Sequence, residues 1–268
     1  MKATIIISVY KNVRALQLIL ESLRVQTCKD FDIIISEDGE DASMRQFVEQ
    51  YDWFCEYQHL TQPDVGWRKN RALNRAILAA KNEWLIFIDG DCVVHHRFVE
   101  MHFRYAKADR ILLGKRVKLS NEISSQLLDA VISIFDLSAL MWRLLFGNRG
   151  CRYVDEGLFF PYLLFLPLRS TRSLTGCNMS FSREAIMSIN GFDEDYMRPA
   201  IGEDVDIYWR LKANGYEPFS IRNRAIAYHL YHKENWTEQE ENKAKMGLNI
   251  KKNQIVCLNG ISNHLPII

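Results

Sequence analysis

From its start to Lys107 the chain alternates short apolar runs with amphipathic segments, and this rhythm limits the fold more than any other feature. Thr4-Ile5-Ile6-Ile7-Ser8-Val9 is rich in β-branched residues and lacks polar alternation, as a strand buried on both faces requires. Asn12 stands where a helix N-cap belongs, and Leu16, Ile19, Leu20 and Leu23 recur at helical spacing. Phe31 to Ser36 predicts a second buried strand, Glu40 to Tyr51 a helix, and Glu56 to Leu60 a short third strand. Asn70 to Lys81 predicts an amphipathic helix with Ala72, Leu73, Ala76 and Ile77 on one side. Trp84 to Ile88 then reads as a strand and His95 to Lys107 as a helix. Such alternation predicts a parallel sheet with right-handed crossovers and helices on both faces. In sheets of this kind ligands gather outside the carboxyl ends of the strands.

Three loops fall on that edge: Ser8-Val9-Tyr10, Glu37-Asp38-Gly39 and Asp89-Gly90-Asp91. None is a phosphate-cradling G-x-x-x-x-G-K or a G-x-G-x-x-G turn, so the positive charge for a phosphate ligand must come from elsewhere. Alternate side chains share one face of a strand, so Asp89 and Asp91 can converge where the strand leaves the sheet. Gly90 lets the backbone bend there and leaves room for a bulky ligand. Two hard oxygen donors suit a divalent cation holding a diphosphate. A D-x-D triplet also arises by chance or as a loop-capping pair, so it takes its weight from context.

Beyond Arg110 the alternation is lost. Ile111 to Val117 predicts a strand, Ile123 to Phe146 is mainly helical, and Gly147 to Ser173 has no clear period and reads as an irregular insertion. Leu174 to Phe181 predicts a strand followed by a helix from Arg183 to Ile189, with a turn at Gly191-Phe192-Asp193. Gly202-Glu203-Asp204 opens a helix to about Asn214, with Gly215 placed as its left-handed cap. Ala225 to His232 is read as a strand, and Thr237 as the N-cap of a polar helix ending near Lys252.

Lys+Arg 34 against Asp+Glu 33 leaves a net charge of +1, which removes the usual footprint of a nucleic-acid partner. Six cysteines without a C-x-x-C pair argue against a zinc ribbon or redox dithiol, and for reduced thiols in a cytoplasmic protein. No signal peptide is expected, because the chain opens directly on a strand. The most apolar region, Leu127 to Leu168, is interrupted by Asp136, Arg143, Arg149, Arg152, Asp155 and Glu156. It falls short of the roughly 20 uncharged residues that span a bilayer. The expectation is a soluble protein, or one peripheral at the inner face of the cell membrane.

The residues that carry a family resemblance are the strand into Ser8-Val9-Tyr10, Glu37-Asp38-Gly39, Gly66-Trp67-Arg68-Lys69-Asn70-Arg71 and Asp89-Gly90-Asp91. They continue with Gly176-Cys177-Asn178-Met179-Ser180-Phe181, Asn190-Gly191-Phe192-Asp193 and Gly202-Glu203-Asp204-Val205-Asp206. In this order and spacing the chain, over roughly residues 3 to 232, resembles a family-2 glycosyltransferase of the GT-A fold. Its second half also resembles the carboxyl-terminal segment of galactosyltransferase and N-acetylgalactosaminyltransferase relatives. The resemblance implies an α/β protein with a Rossmann-like, mostly parallel central sheet flanked by helices, a helical and irregular insertion, and a C-terminal helix. The implied organisation is a transferase domain over 1–235 and a helical tail over 236–268. Within the domain, 1–117 is the nucleotide-binding half, 118–173 the apolar insertion and 174–235 the acceptor and catalytic half.

The resemblance also implies roles. Asp38 would accept a hydrogen bond from a uracil-like base, its alternative being an Asx-type cap of its own loop. Ser8, Val9 and Tyr10 would pack against that base. Lys69 or Arg71, at a helix start, would offset diphosphate charge or hold Asp89. Asp91 would bind Mn2+ or Mg2+ directly, while Asp89, beside Gly90, would contact ribose or reach the metal through water. His229 is the further metal ligand, with His232 the alternative, and either histidine can instead be structural. Asp204 would be the general base and Glu203 would orient the acceptor, against plain N-capping as the alternative. Asp206 would face solvent, Cys177 would pack, and Asn178, Gly176 and Trp67 would lie near the donor sugar or acceptor.

The activity implied is inverting transfer of a sugar from a UDP-sugar to a hydroxyl of a glycan or lipid-linked glycan, in surface polysaccharide or lipopolysaccharide synthesis. A nucleotidyltransferase acting on sugar phosphates and an inactive glycan-binding scaffold are the other classes. The first should carry a basic Gly-rich loop that Ser8-Val9-Tyr10-Lys11-Asn12 lacks, and retention of both acidic motifs speaks against the second. Leu127 to Leu168 has two readings: a surface that docks on anionic lipid through its arginines, or a helical lid, acceptor pocket or homodimer interface.

Overall fold

The structure, a computed structural model, describes residues 1–161, 173–199, 201–233 and 238–265. The opening run forms β1 (Ala3–Val9), and the Asn12 side chain accepts from the Ala15 amide to start α1 (Val13–Arg24). There follow β2 (Phe31–Glu37), α2 (Ala42–Gln50), β3 (Tyr57–Leu60), α3 (Lys69–Ala79) and β4 (Trp84–Asp89). Next come β5 (Cys92–Val94), α4 (Phe98–Tyr105), β6 (Arg110–Leu113), β7 (Lys115–Lys118), α5 (Asn121–Leu128) and α6 (Asp136–Leu144). The second half supplies β8 (Met179–Ser182), α7 (Arg183–Ser188), α8 (Asp206–Ala213), β9 (Glu217–Ser220), β10 (Ile226–His229) and α9 (Glu240–Lys251).

The main sheet has the order β3-β2-β1-β4-β8-β6-β9. β1 pairs in parallel with β2 on one side and β4 on the other, so the strand order reverses direction there and opens a crevice at their carboxyl ends. Alternating residues of these strands bury two cores. Ile5, Ile7, Ile33, Ile35, Ile86 and Ile88 pack on one face with α1 and α4, and Ile6, Ile34, Leu85 and Phe87 on the other with α3, α7 and α8. Each such side chain contributes about 1.5–3 kcal/mol by leaving water.

The structure amends several sequence expectations. The main sheet is mostly parallel, with the one departure that β8 runs antiparallel to both β4 and β6. The strand expected over 111–117 is two strands in different sheets, parted at Gly114. A Cβ at Gly114 would sit 2.0 Å from Asn178 Oδ1, so only glycine leaves space for the side chain that holds this junction. β5, which follows Asp91 directly, is a strand with no counterpart in the sequence pattern ahead of the helix expected from His95. That helix begins at Phe98 rather than His95, because the His95 amide instead donates to Ile226 O. The strand expected from Leu174 begins at Met179, and the last strand ends at His229. Thr237 lies outside the described residues, and α9 starts at Glu240.

Candidate active site

Parallel register sets Ser8 opposite both Ser36 and Asp89, which lines up three strand ends at one edge. Asp38 binds this edge to the loop across from it. Its two carboxylate oxygens accept from Gln62 Nε2 and the Arg68 amide, each at 2.7 Å, and its own amide donates to Val9 O. Asp38 thus organises its surrounding loops. A carboxylate oxygen has more than one acceptor position, so this use leaves capacity for a base. Between these elements lies a cleft of about 690 Å³ whose lining includes Ser8, Val9, Tyr10, Asp38, Trp67, Lys69, Asp89, Gly90, Asp91, Glu203 and His232. Tyr10 is 54% exposed on its rim, with its hydroxyl 3.3 Å from Asp64. Gly90 is required by close approach: a Cβ there would meet Ser8 O at 2.6 Å and Val9 Cα at 3.0 Å, both backbone.

The small sheet, in the order β5-β10-β7, builds the second wall. β10 pairs with β5 so that His229 faces Cys92, and the Leu230 amide donates to Asp91 O at 2.8 Å. This brings Asp91 Oδ2 to 3.3 Å from both His229 Nε2 and His232 Nε2. Among the described residues these three offer donor atoms that all lie within 4.8 Å of one another. Burial works against ionisation of Asp91, but the two imidazoles outweigh it and hold the carboxyl well below the usual carboxylate range. One carboxylate and two imidazoles are a donor set that suits a first-row divalent cation.

A third cluster joins the halves of the chain. Lys69 Nζ donates to Asp89 Oδ1 at 2.6 Å and also to Glu203 Oε1, while Arg116 stands 3.7 Å from the other Asp89 oxygen. Burial alone would lower the Lys69 ammonium, yet the two carboxylates raise it. Burial pushes Glu203 up to about 7, opposed by Lys69 and reinforced by Asp89 and Asp204. Asp204 is also raised, first by burial, and its Oδ2 accepts from the Gly176 amide at 3.4 Å. Gly176 lies against this pair, since a Cβ there would meet Glu203 Oε1 at 2.5 Å.

The acidic pair sits in a π-helical turn, Ile201–Val205, that feeds α8. Such turns are rare and often mark functional positions. Two anchors fix it. Asn70 Nδ2 donates to Gly202 O and Asp193 O, tying the turn to the start of α3. Asp206, fully buried, accepts from Tyr196, Trp209 and Arg210, and Arg210 donates onward to Ile189 O and Gly191 O.

Three expected roles change. Arg71 is exposed on α3 and absent from the cleft lining; two residues beyond Lys69 on a helix places it on another face. Asn178 is fully buried and donates to Lys115 O and Ala225 O, which makes it a structural tie between the sheets. Asp206 is the centre of a buried network rather than a solvent-facing residue. Arg116 and Asn70 were missed as site residues. Arg116 gives no distinct signal in a strand, Lys115–Lys118, that is basic at three of its four positions, while Asn70 sits between two charged residues, Lys69 and Arg71, that look more like ligands.

Comparisons with known proteins give the family and the fold. A sequence profile for glycosyl transferase family 2 matches residues 4–189, and one described as the N-terminal domain of galactosyltransferase matches 165–233. The fold and the site define a GT-A glycosyltransferase-type protein. The chain belongs to glycosyl transferase family 2. It is 24% identical over 258 residues to a chondroitin synthase of Pasteurella multocida, covering 90% of this chain but 26% of that protein. The chain thus spans about a quarter of the length of that relative. Among solved structures it is similar to residues 1–349 of S. aureus TarS in complex with UDP-GlcNAc, with a TM-score of 0.61 and 15% identity, covering 96% of this chain and 70% of that one. It is also similar to the mannosyltransferase PcManGT of Pyrobaculum calidifontis in complex with GDP-Man and Mn2+, with a TM-score of 0.58 and 12% identity, covering 88% and 58%.

Proposed function

We propose that this chain transfers a sugar from a nucleotide donor, a UDP-sugar, to a hydroxyl of a glycan or lipid-linked glycan with inversion at the anomeric carbon. The observation that carries this reading is that Asp89, Asp91 and Glu203 line one cleft, with Lys69 bridging Asp89 to Glu203. A nucleotide held at the strand edge and an acceptor held at the π turn then meet over a short span. Family membership and relatives whose structures hold UDP-GlcNAc or GDP-Man support the same reading.

Asp91, His229 and His232 would hold a divalent cation, and their two nitrogen donors favour Mn2+ over Mg2+. When bound, that ion supplies Lewis-acid neutralisation of the leaving diphosphate. Ser8, Val9, Tyr10 and Asp38 receive the base and ribose, and Trp67 borders the donor sugar. Lys69 holds the Asp89 carboxylate in place and opposes the burial that raises Glu203, which orients the acceptor. Asp204, next in the chain to the cleft-lining Glu203, takes the proton of the acceptor hydroxyl. The acceptor oxygen forms its bond to the anomeric carbon as the bond from that carbon to the phosphate oxygen breaks, its electron pair leaving with the diphosphate. Surface polysaccharide or lipopolysaccharide synthesis is the setting in which such an acceptor arises.

The test is release of UDP from a panel of UDP-sugars with and without Mn2+, with the anomeric configuration of the product read by NMR. Asp204→Asn should abolish transfer while leaving UDP binding unchanged. Equal transfer by that variant, or product with retained configuration, would overturn the assignment.

A further inference from the structure

An apolar surface lies beside the mouth of the cleft. α5 ends at Leu128, which lines the cleft, and Asp129 just beyond pairs with Arg14 at 2.7 Å. The chain then enters α6, which buries Leu137, Met141 and Leu144 at spacings of four and three. The opposite stripe is apolar as well. Phe135 is 61% exposed, Trp142 50% and Phe146 95%, with exposed Ala139 between them at helical spacing. Val131 and Leu145 widen the patch. A helix apolar on both sides needs apolar surroundings on both sides.

The charge pattern identifies the surroundings. From Leu137 to Val154 the sequence carries Arg143, Arg149 and Arg152 and no Asp or Glu, in a chain whose net charge is only +1. All three arginines are exposed, and Arg149 is paired with Glu122, so Arg143 and Arg152 carry the charge argument. Beside them is an open groove of about 390 Å³ bordered by Leu144, Leu145, Arg152, Tyr153 and Asp155, the last paired with Arg222. Tyr153 is 60% exposed and holds a left-handed backbone at φ 57°, as does Arg149 at φ 46°. Strain of this kind persists where the surroundings over-determine it. Amphipathic aromatic rings interleaved with arginines match the boundary between lipid headgroups and acyl chains. Among the described residues no helix is long and apolar enough to cross a membrane, so the contact would lie in the interfacial plane.

We propose that this face seats the protein on an anionic lipid surface, with Trp142, Phe146 and Leu145 in the headgroup layer and Arg143 and Arg152 on phosphates. The cleft mouth at Leu128 then opens beside the lipid, where an acceptor carried on a lipid is encountered; that last step rests on the transferase reading, while the contact itself does not.

The experiment is sedimentation of the full chain with phosphatidylglycerol–phosphatidylcholine vesicles and with phosphatidylcholine alone. Binding is expected to the first and not the second, and to weaken in high salt. Trp142→Ser and Phe146→Ser, both at exposed positions, should each reduce binding about tenfold or more, and Arg143→Gln or Arg152→Gln about fivefold. UDP release from a UDP-sugar in vesicle-free solution should be unchanged in all four. Absence of wild-type binding to anionic vesicles, or binding indifferent to these substitutions, overturns the proposal. So does concentration-dependent self-association that Trp142→Ser abolishes, which would assign the face to a second copy. Vesicle binding without UDP release would instead leave the surface standing and remove the transferase reading.

Discussion

Arg210→Met is the substitution whose consequence can be worked most directly from the structure. Arg210 and Asp206 have side chains 1% and 0% exposed, with the guanidinium 2.6 Å from the carboxylate. Removing one partner of a buried ion pair leaves an uncompensated charge and costs about 3–5 kcal/mol. Two buried carbonyls, of Ile189 and Gly191, also lose their donor. For a chain of this size the loss corresponds to a fall in Tm of about 6–20 °C. The damage should reach the site, because Asp206 follows the π turn directly and also accepts from Tyr196, whose side chain packs where a Cβ on Gly202 would be only 2.1 Å away. Urea unfolding followed by circular dichroism measures the loss. The double variant Asp206→Leu/Arg210→Met should recover at least about 2 kcal/mol relative to the sum of the two single changes, since no charge is then stranded. A loss below about 1 kcal/mol for Arg210→Met would show that the buried network does not hold this turn.

Further predictions concern titration and close packing. Burial pushes His102 down to about 3 and His95, with His96 and Arg97 nearby, likewise to about 3. Between roughly pH 6.5 and 3 the unfolded chain therefore binds protons that the folded chain refuses, and each histidine should remove about 1.4 kcal/mol of stability per pH unit as pH falls. In urea titrations at stepped pH, His102→Asn should lose one histidine's share of that slope, and an unchanged slope would contradict the assignment. Lys69→Met should lift Glu203 above its present value of about 7. A raised carboxyl contributes stability below its unfolded pKa and loses it as pH rises through the folded one, so the variant's deficit against wild type should grow from pH 6 to pH 8; a pH-independent deficit argues against the bridge. Gly90→Ala places a Cβ 2.6 Å from Ser8 O and should cost about 1–3 kcal/mol while weakening UDP binding, read by thermal melts and calorimetry. Wild-type stability and affinity in that variant would show that the strand ends can part.

Much of the first half of the fold was legible because it depends on local pattern. β1, β2 and β4 are continuous apolar runs, and parallel register then fixes which ends meet. Asn12 as a cap and Gly215 at φ 93° follow from side-chain reach and the missing Cβ. What escaped depends on contacts distant in sequence. β5 is three residues long, and its partner β10 lies far along the chain. The break at Gly114 is set by Asn178, and the same contact turns an expected sugar ligand into a structural residue. Lys69 and Arg71 look equivalent in sequence, and only the phase of α3 separates them. An aspartate at a helix start reads as a cap or a solvated charge, so the burial of Asp206 could be found only with Arg210, Tyr196 and Trp209 folded around it.

The central claim is that a cation held by Asp91, His229 and His232 and a nucleoside diphosphate share one cleft. Calorimetric titration of UDP into the full chain, with and without Mn2+, tests it most directly. Mn2+ should strengthen UDP binding by about tenfold or more in the wild type and should have little effect in Asp91→Asn. UDP affinity that is indifferent to Mn2+, or an Mn2+ effect that survives in Asp91→Asn, would contradict the account.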